Sequence, residues 1–278
     1  MLPPALFKDT DEIQVDLTER CDSGGYGTVW MAKIEGRAVA IKILNTVLSD
    51  DHEHRFSREV IIWRQLHHRN ILPLLGLCRA CPPPAQPGPG MISPWCKNGN
   101  LNSYLRKQLR RNRSLERIAD ALSYMHRHDA VHKDLKLLNI VVDDNLEPCL
   151  TDFGITTFAS SRTVSREPGS SGSCRWMAPE VFRRPGETDA DVRNRVTAAC
   201  DMYGFACVCL EMYTLKYPWH DIRSEEEVEI NVLAGERPPR PDGIPDEVWS
   251  IMESCWVQDR QDRMKSEDAH KAFAAMLA

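Results

Sequence analysis

A base, a cation, an amide and a second carboxylate are gathered in two short stretches of the chain. The first is Val131-His132-Lys133-Asp134-Leu135-Lys136-Leu137-Leu138-Asn139, and the second is Thr151-Asp152-Phe153-Gly154. Magnesium prefers hard oxygen ligands and takes one or two from protein, with phosphate and water supplying the rest. Asn139 and Asp152 can supply such oxygens, which leaves Asp134 free to act as a base with Lys136 as a nearby cation. The composition is that of any polar loop; the order of the residues is what makes the cluster specific.

Two upstream features suit a nucleotide. In Asp22-Ser23-Gly24-Gly25-Tyr26-Gly27-Thr28-Val29, the glycines let backbone amides approach a phosphate chain without Cβ obstruction. Glycine-rich turns between strands are common, so this run alone is a weak signal. In Val39-Ala40-Ile41-Lys42-Ile43, side chains alternate, so Ala40 and Lys42 share one face. Adenine can pack on that methyl while the ammonium meets the phosphates; a solvated lysine on an edge strand is the alternative. Phe56, Glu59, Val60 and Trp63 fall on one face of a helix. A buried Glu59 needs a cation or water, and Lys42 is the candidate; a Glu59 turned to solvent is the other option.

The elements that must position these groups change character along the chain. Val29, the run from Val39 to Ile43 and the Leu72 to Leu77 region read as strands, being short and rich in branched or apolar residues. A helix from about Glu53 to Leu66 interrupts them. After Asn98 helices dominate: Leu101 to Arg110, Leu115 to His128, Ala198 to Leu215 and others beyond. A β-like stretch from Ile140 to Thr151 precedes a polar segment, Ala159 to Ser173. The segment Cys81 to Gly90 is dense in proline and glycine and reads as a stiff surface connection.

The ordered set of the glycine run, Val39 to Lys42, His132 to Asn139, Asp152 to Gly154 and Met177-Ala178-Pro179-Glu180 resembles the protein kinase family from about Thr18 to Arg263. Ser93-Pro94-Trp95 and the run Arg175 to Glu180 resemble its tyrosine-kinase-like branch. The resemblance implies a two-lobed α+β fold: a β-rich lobe over 1–92, a hinge over 93–98 and a mainly helical lobe over 99–278. It implies ATP and Mg²⁺ as cofactors, with Gly24, Gly25, Gly27, Val29, Ala40 and Lys42 around the nucleotide. Ser93 stands as gatekeeper, and Pro94 and Cys96 offer backbone to adenine. Lys42 would pair with Glu59, Asp134 would accept the substrate proton, Lys136 would steady the transferring group, and Asn139 and Asp152 would hold metal. Asp201 would accept amides of the catalytic loop, and Glu180 would pair with Arg263. Three residues depart from the family pattern: Asp22 for the first loop glycine, Lys133 for an arginine, and Met264 for a proline.

Lys136 and the Gly172-Ser173 pair fit acceptors that are serine or threonine hydroxyls of a protein. A pseudokinase scaffold or nucleotide-binding module, and a dual-specificity or tyrosine kinase, are the alternatives. Bulk properties exclude other classes. With 278 residues, 42% hydrophobic and 27% charged, the chain is an ordinary globular one, and a net charge of −5 makes nucleic acid an improbable partner. The longest apolar run, Ala198 to Leu215, holds Asp201 and Glu211 and reads as a buried helix, not a membrane span. Ten cysteines without a secretory leader indicate reduced thiols and a cytoplasmic or nuclear setting. Cys78 and Cys81 lack a second pair for zinc and read as core or loop thiols. The basic run Arg106, Lys107, Arg110, Arg111, Arg113 and Arg117 reads as a solvated surface.

Overall fold

The structure, a computed structural model, describes residue 7 and residues 13–24, 27–44, 60–78, 90–106, 111–152 and 173–278. The chain divides into two compact units, Met1–Lys97 and Asn98–Ala278. Their classes are those expected, a β-rich unit followed by a helical one, which together make the α+β, two-lobed kinase fold.

In the first unit, β1 (Ile13–Gly24), β2 (Gly27–Ile34), β3 (Arg37–Leu44), β4 (Gly76–Cys78) and β5 (Gly90–Pro94) form an antiparallel sheet in the order β1-β2-β3-β5-β4. The alternation read from β3 decides its faces. Val39, Ile41 and Ile43 join Ile13, Ala32, Cys78 and Ile92 in one core, while Ala40 and Lys42 between them are half-buried. Residues directly opposite on neighbouring strands share a face. The strand expected from Leu72 begins at Gly76, with Leu75 N already donating to Ile92 O of β5 at 2.8 Å; Pro73 upstream has no N–H to give a ladder. Residues 60–65 are helical and bury Val60 and Trp63. The Trp63 indole donates to Leu72 O at 2.7 Å. Phe56 and Glu59 lie outside the described residues, as do the connection over 79–89 and the segment over 153–172. The thiol expectation fails at Cys78, which is disulfide-bonded; its partner is not among the described side chains. Seven other cysteines are free thiols.

The second unit contains α1 (Leu101–Leu105), α2 (Arg111–Arg127), the ribbon β6 (Ile140–Val142) and β7 (Pro148–Leu150), then α3 (Asp189–Arg195), α4 (Ala198–Thr214), α5 (Glu225–Leu233), α6 (Asp246–Cys255) and α7 (Ser266–Ala275). Every residue of α4 from Cys200 to Met212 is buried, as expected of a helix that is apolar on all sides. Phe205 of α4 meets Phe273 of α7 edge to face, with ring centroids 5.9 Å apart, and both are fully buried. Among the described residues, no helix is long and apolar enough to cross a membrane.

Two arginines of the basic run also hold structure, Arg106 while exposed to solvent and Arg111 half-buried. Arg106 donates to Leu215 O at 3.2 Å and Arg111 to Met212 O at 2.8 Å, so two guanidiniums satisfy carbonyls at the C-terminal end of α4. Arg111 also covers the Tyr213 ring at 5.3 Å. Lys107 and Arg110 lie outside the described residues. α1 ends at Leu105 and α2 already begins at Arg111, so the helices differ from the expected Leu101 to Arg110 and Leu115 to His128. The sequence reading missed α3 altogether, although Thr188 and Asp191 announce it. Thr188 N donates to Asp191 Oδ2 at 2.8 Å and Asp191 N to Thr188 Oγ1 at 3.3 Å, a reciprocal cap of the Ser/Thr-x-x-acid kind.

Replacing Phe273 by Ala empties a fully buried ring site and should cost about 3–5 kcal/mol of stability. Urea denaturation checks this; a loss below about 1 kcal/mol would mean that α7 does not belong to the same cooperative core.

Candidate active site

The stretch around Asp134 is held by a single carboxylate below it. Asp201, in the first turn of α4, accepts His132 N through Oδ2 at 2.7 Å and Lys133 N through Oδ1 at 2.9 Å. His126, near the end of α2, reaches the same Oδ2 with Nε2 at 2.9 Å and Ser266 Oγ with Nδ1 at 2.8 Å. Burial pushes the Asp201 carboxyl up, but the His126 ring, the His132 charge and the amide bonds pull harder, and it sits below the ordinary carboxylate range. Gly204, one turn on, lets α4 touch the loop: a Cβ there would lie 3.3 Å from Leu135 Cβ and 3.4 Å from Leu135 O. Lys133 has φ 72° and Asp152 φ 62°, both in the left-handed region, a conformation that costs on the order of 1–3 kcal/mol for residues other than glycine.

On this base Asp134, Lys136 and Asn139 meet. Asp134 Oδ2 accepts the Lys136 ammonium at 3.0 Å and the Asn139 amide at 2.7 Å; the same amide also donates to Asp134 O at 2.7 Å. The other oxygen, Oδ1, is buried and has no hydrogen-bond partner among the described residues. Burial raises the Asp134 carboxyl, yet the Lys136 ammonium with the neighbouring Ser173 hydroxyl and Asn139 amide outweighs it, so the group stays ionised at neutral pH. Lys136 also donates to Ser173 Oγ at 2.9 Å, which ties the turn Ser173–Trp176 to the base. A narrow cavity beside Asp134 is lined by Ser173, Met177, Val181 and Cys200 among others.

The residues expected to hold magnesium are adjacent. Thr151 N donates to Asn139 O at 3.0 Å at the open end of the β6–β7 ribbon, so Asp152 is one residue along the chain from the partner of Asn139. Asn139 donates its amide nitrogen to Asp134, so its side-chain oxygen is the atom that would meet a cation. An amide oxygen and a carboxylate oxygen are the hard donors that Mg²⁺ takes, so the two residues fit it.

The residues expected to meet the nucleotide lie in the first unit. β2–β3 and β3–β5 register pairs Val29 with Lys42, Lys42 with Met91, and Ala40 with Ser93. Val29, Ala40, Lys42 and Ser93 therefore occupy one face of the sheet. Gly24 and Gly27 pair across the β1–β2 turn and Asp22 pairs with Val29; Gly25 lies outside the described residues. Pro94 pairs with Val39 at the end of β5, and Cys96 follows as a half-buried thiol.

Four supporting side chains escaped sequence reading or entered it only by resemblance. Arg263 is bidentate to Glu180, at 2.7 and 2.8 Å, as the resemblance implied. Arg175 is buried and donates to Trp219 O at 2.6 Å and Ile222 O at 2.8 Å while lying 4.9 Å from the Tyr217 ring. His126 gave no signal, since one histidine in an amphipathic helix is unremarkable. Glu211 did give one: a carboxylate in an otherwise apolar run.

An antiparallel five-stranded unit followed by a helical unit whose buried helix anchors the Asp134 loop is the architecture of the protein kinase class. The chain belongs to the protein tyrosine and serine/threonine kinase family, whose model matches residues 15–273. It is 30% identical over 259 residues to the serine/threonine-protein kinase CTR1 of Arabidopsis thaliana, which covers 88% of this chain and 29% of that protein. It is 30% identical to the RGS domain-containing serine/threonine-protein kinase A of Dictyostelium discoideum, over 87% of this chain and 20% of that one. The tyrosine-protein kinase transforming protein Abl of Abelson murine leukemia virus is 25% identical over 97% of this chain and 35% of its own length. The chain thus spans about a third or less of each of these relatives.

Asp201→Asn removes the charge and leaves one backbone amide facing an NH₂ group. Each hydrogen bond to a charged group is worth roughly 1.5–3 kcal/mol, so a loss of about 3 kcal/mol is expected at pH 7. The folded pKa is depressed, so the carboxylate's contribution is present above its ordinary value and lost as pH falls through the folded one. Urea midpoints of both forms should therefore converge towards low pH; a gap independent of pH would show that charge is not what Asp201 supplies.

Proposed function

We propose that the chain is a serine/threonine protein kinase that transfers the γ-phosphoryl group of MgATP to a protein hydroxyl. The observation that carries this reading is the Lys136 ammonium lying between Asp134 Oδ2, at 3.0 Å, and Ser173 Oγ, at 2.9 Å, with Asp134 Oδ1 buried and unpartnered beside them. Asp134 Oδ1 orients the acceptor hydroxyl and takes its proton as the oxygen–phosphorus bond forms. A carboxylate below its usual range is a weak base. Phosphoryl transfer passes through a loose transition state in which positioning and charge stabilisation outweigh proton abstraction, so a weak but fixed base suffices. Lys136 sets its charge against the transferring group. Asn139 and Asp152 would hold Mg²⁺, which neutralises charge on the phosphates when bound. Lys42 on β3 holds the α- and β-phosphates, oriented by Glu59, while Gly24, Gly25 and Gly27 cover them. Val29 and Ala40 pack on adenine, which lies against Ser93, Pro94 and Cys96.

Named serine/threonine kinases among the relatives support this choice of hydroxyl. Tyrosine-named relatives at comparable identity favour tyrosine or dual specificity as a second reading. Incorporation of labelled phosphate into matched peptides with Ser, Thr or Tyr acceptors separates them; tyrosine transfer equal to or above serine transfer would displace the first reading. In the same assay Asp134→Asn should lower kcat by about 10²–10⁴-fold with ATP affinity nearly unchanged. A variant that keeps more than about a tenth of the wild-type rate would remove Asp134 from its role. A wild type that binds ATP without any transfer would make the chain a scaffold.

A further inference from the structure

Glu211 is a buried carboxylate that no step above uses. It lies on α4 near its C-terminal end and is 5% exposed. Its Oε2 accepts two donors from two different parts of the site: Leu137 N at 3.1 Å and the Trp176 indole N–H at 2.7 Å. Leu137 opens the turn Leu137–Asn139, which carries Asn139 and follows Lys136. Trp176 closes the turn Ser173–Trp176, which carries the Ser173 hydroxyl bonded to Lys136. One oxygen atom therefore fixes the distance between the loop bearing the base and the segment bearing Ser173.

No cation is ion-paired with Glu211 among the described residues. The groups that face it are few. From the catalytic stretch come the Leu137 amide and, at longer range, the Lys136 ammonium. From the Ser173–Trp176 turn comes the indole; the Arg175 guanidinium next to it is directed to the carbonyls of Trp219 and Ile222. On α4 itself Cys207 lies one turn earlier, its thiol pushed well up by burial and by the Glu211 charge.

We propose that Glu211 is a positioning residue whose negative charge holds the Asp134–Lys136 loop and the Ser173–Trp176 segment in the arrangement needed for transfer, so that its protonation loosens the site and lowers kcat. The chemistry follows from the difference between a charged and a neutral acceptor. Hydrogen bonds to an ionised group are about twice as strong as neutral ones, and Oε2 carries both. Burial raises the carboxyl to about 7, against the Trp176 and Leu137 bonds and the Lys136 charge that lower it. The proton thus comes and goes near neutral pH.

Stability and activity then move in opposite directions. A carboxyl whose folded pKa is raised contributes its full stability below its ordinary value of 4.5 and loses it as pH rises through about 7. Ionised Glu211 is costly to the fold and useful to the reaction. A residue that served stability alone would not separate the two.

The inference rests on Asp134 and Lys136 acting as proposed, and its test has one arm that does not. At saturating MgATP and peptide, wild-type kcat should rise about tenfold from pH 6 to pH 8, following the ionised fraction of a group titrating near 7. Glu211→Gln, a neutral acceptor of the same shape, should stay near the wild-type pH 6 value throughout. It should also gain melting temperature over the wild type as pH rises from 6 to 8. Trp176→Phe removes one bond that lowers the carboxyl, so its kcat limb should shift to higher pH. The independent arm is the ¹⁵N-indole resonance of Trp176, assigned through that variant, which should titrate in the wild type and not in Glu211→Gln. Parallel pH profiles for wild type and Glu211→Gln, or an indole resonance that does not titrate, would overturn the inference. If the wild type transfers no phosphate, the kinase reading fails and the indole titration decides the coupling alone.

Discussion

Asp201 accepts hydrogen bonds from His132 N, Lys133 N and His126 Nε2 at 2.7 to 2.9 Å, and the geometry of the base-bearing loop depends on those three contacts. The loop before Asp134 does not hold itself by a ladder: the amides of His132 and Lys133 go to the Asp201 carboxylate, and Lys133 is in the left-handed region. α4 supplies the missing rigidity. It is buried on every side from Cys200 to Met212, so its position is set by packing, and packing to native density tolerates little displacement. The carboxylate at its first turn transmits that fixed position upward to the loop, and Gly204 allows the close approach that the hydrogen bonds require.

The two acids of α4 show how donor count decides the charge state of a buried group. Both are almost fully desolvated, which alone would raise each of them. Asp201 has three donors, one from a histidine, and ends below its ordinary value. Glu211 has two donors on one oxygen and a distant ammonium, and ends near 7. Glu180 reaches the same end as Asp201 by another route, through the paired Arg263 guanidinium. That guanidinium also donates to Ala199 O at 2.9 Å, at the start of α4. The segment after Met177 and the loop before Asp134 are therefore referenced to one helix.

Much of this was legible in the sequence. The alternation over Val39–Ile43 foretold which side chains of β3 enter the core, because period two on a strand leaves no choice once one face is apolar. The buried character of α4 followed from its unbroken apolar run, and the order of Asp134, Lys136, Asn139 and Asp152 marked the loop. Other contacts were illegible for physical reasons. Ser266 meets His126 from far along the chain, and no local pattern encodes a contact between two single residues on different helices. The arginines that cap α4 look like surface charges, since their long stems let a basic run be packed and solvated at once. Leu72 to Leu77 reads as one strand because its residues are apolar, a pattern that does not show where pairing begins, and Glu211 in the sequence argues only against a membrane span.

Asp134 Oδ1 is buried without a hydrogen-bond partner among the described residues, and an unmet buried acceptor costs about 1–3 kcal/mol, more when charged. A protein that needed only to be stable would supply a donor there. The remaining groups explain its persistence: Lys136 and Asn139 occupy Oδ2 fully and hold the carboxylate from rotating, so Oδ1 points at one place. A hydroxyl arriving at that place, as the proposed function has it, would offset the cost. Donors and acceptors fixed before the reaction need no reorganisation during it, which is the source of electrostatic catalysis in dry sites. The left-handed Lys133 and Asp152 on either side are expensive in the same sense; the amides of Lys133 and its neighbour His132 are held by Asp201 of α4, and Thr151 N beside Asp152 by Asn139 O. Two of the described left-handed residues other than glycine thus stand at the positions that would meet substrate and metal, while the helix beneath them is well-packed core from Cys200 to Met212.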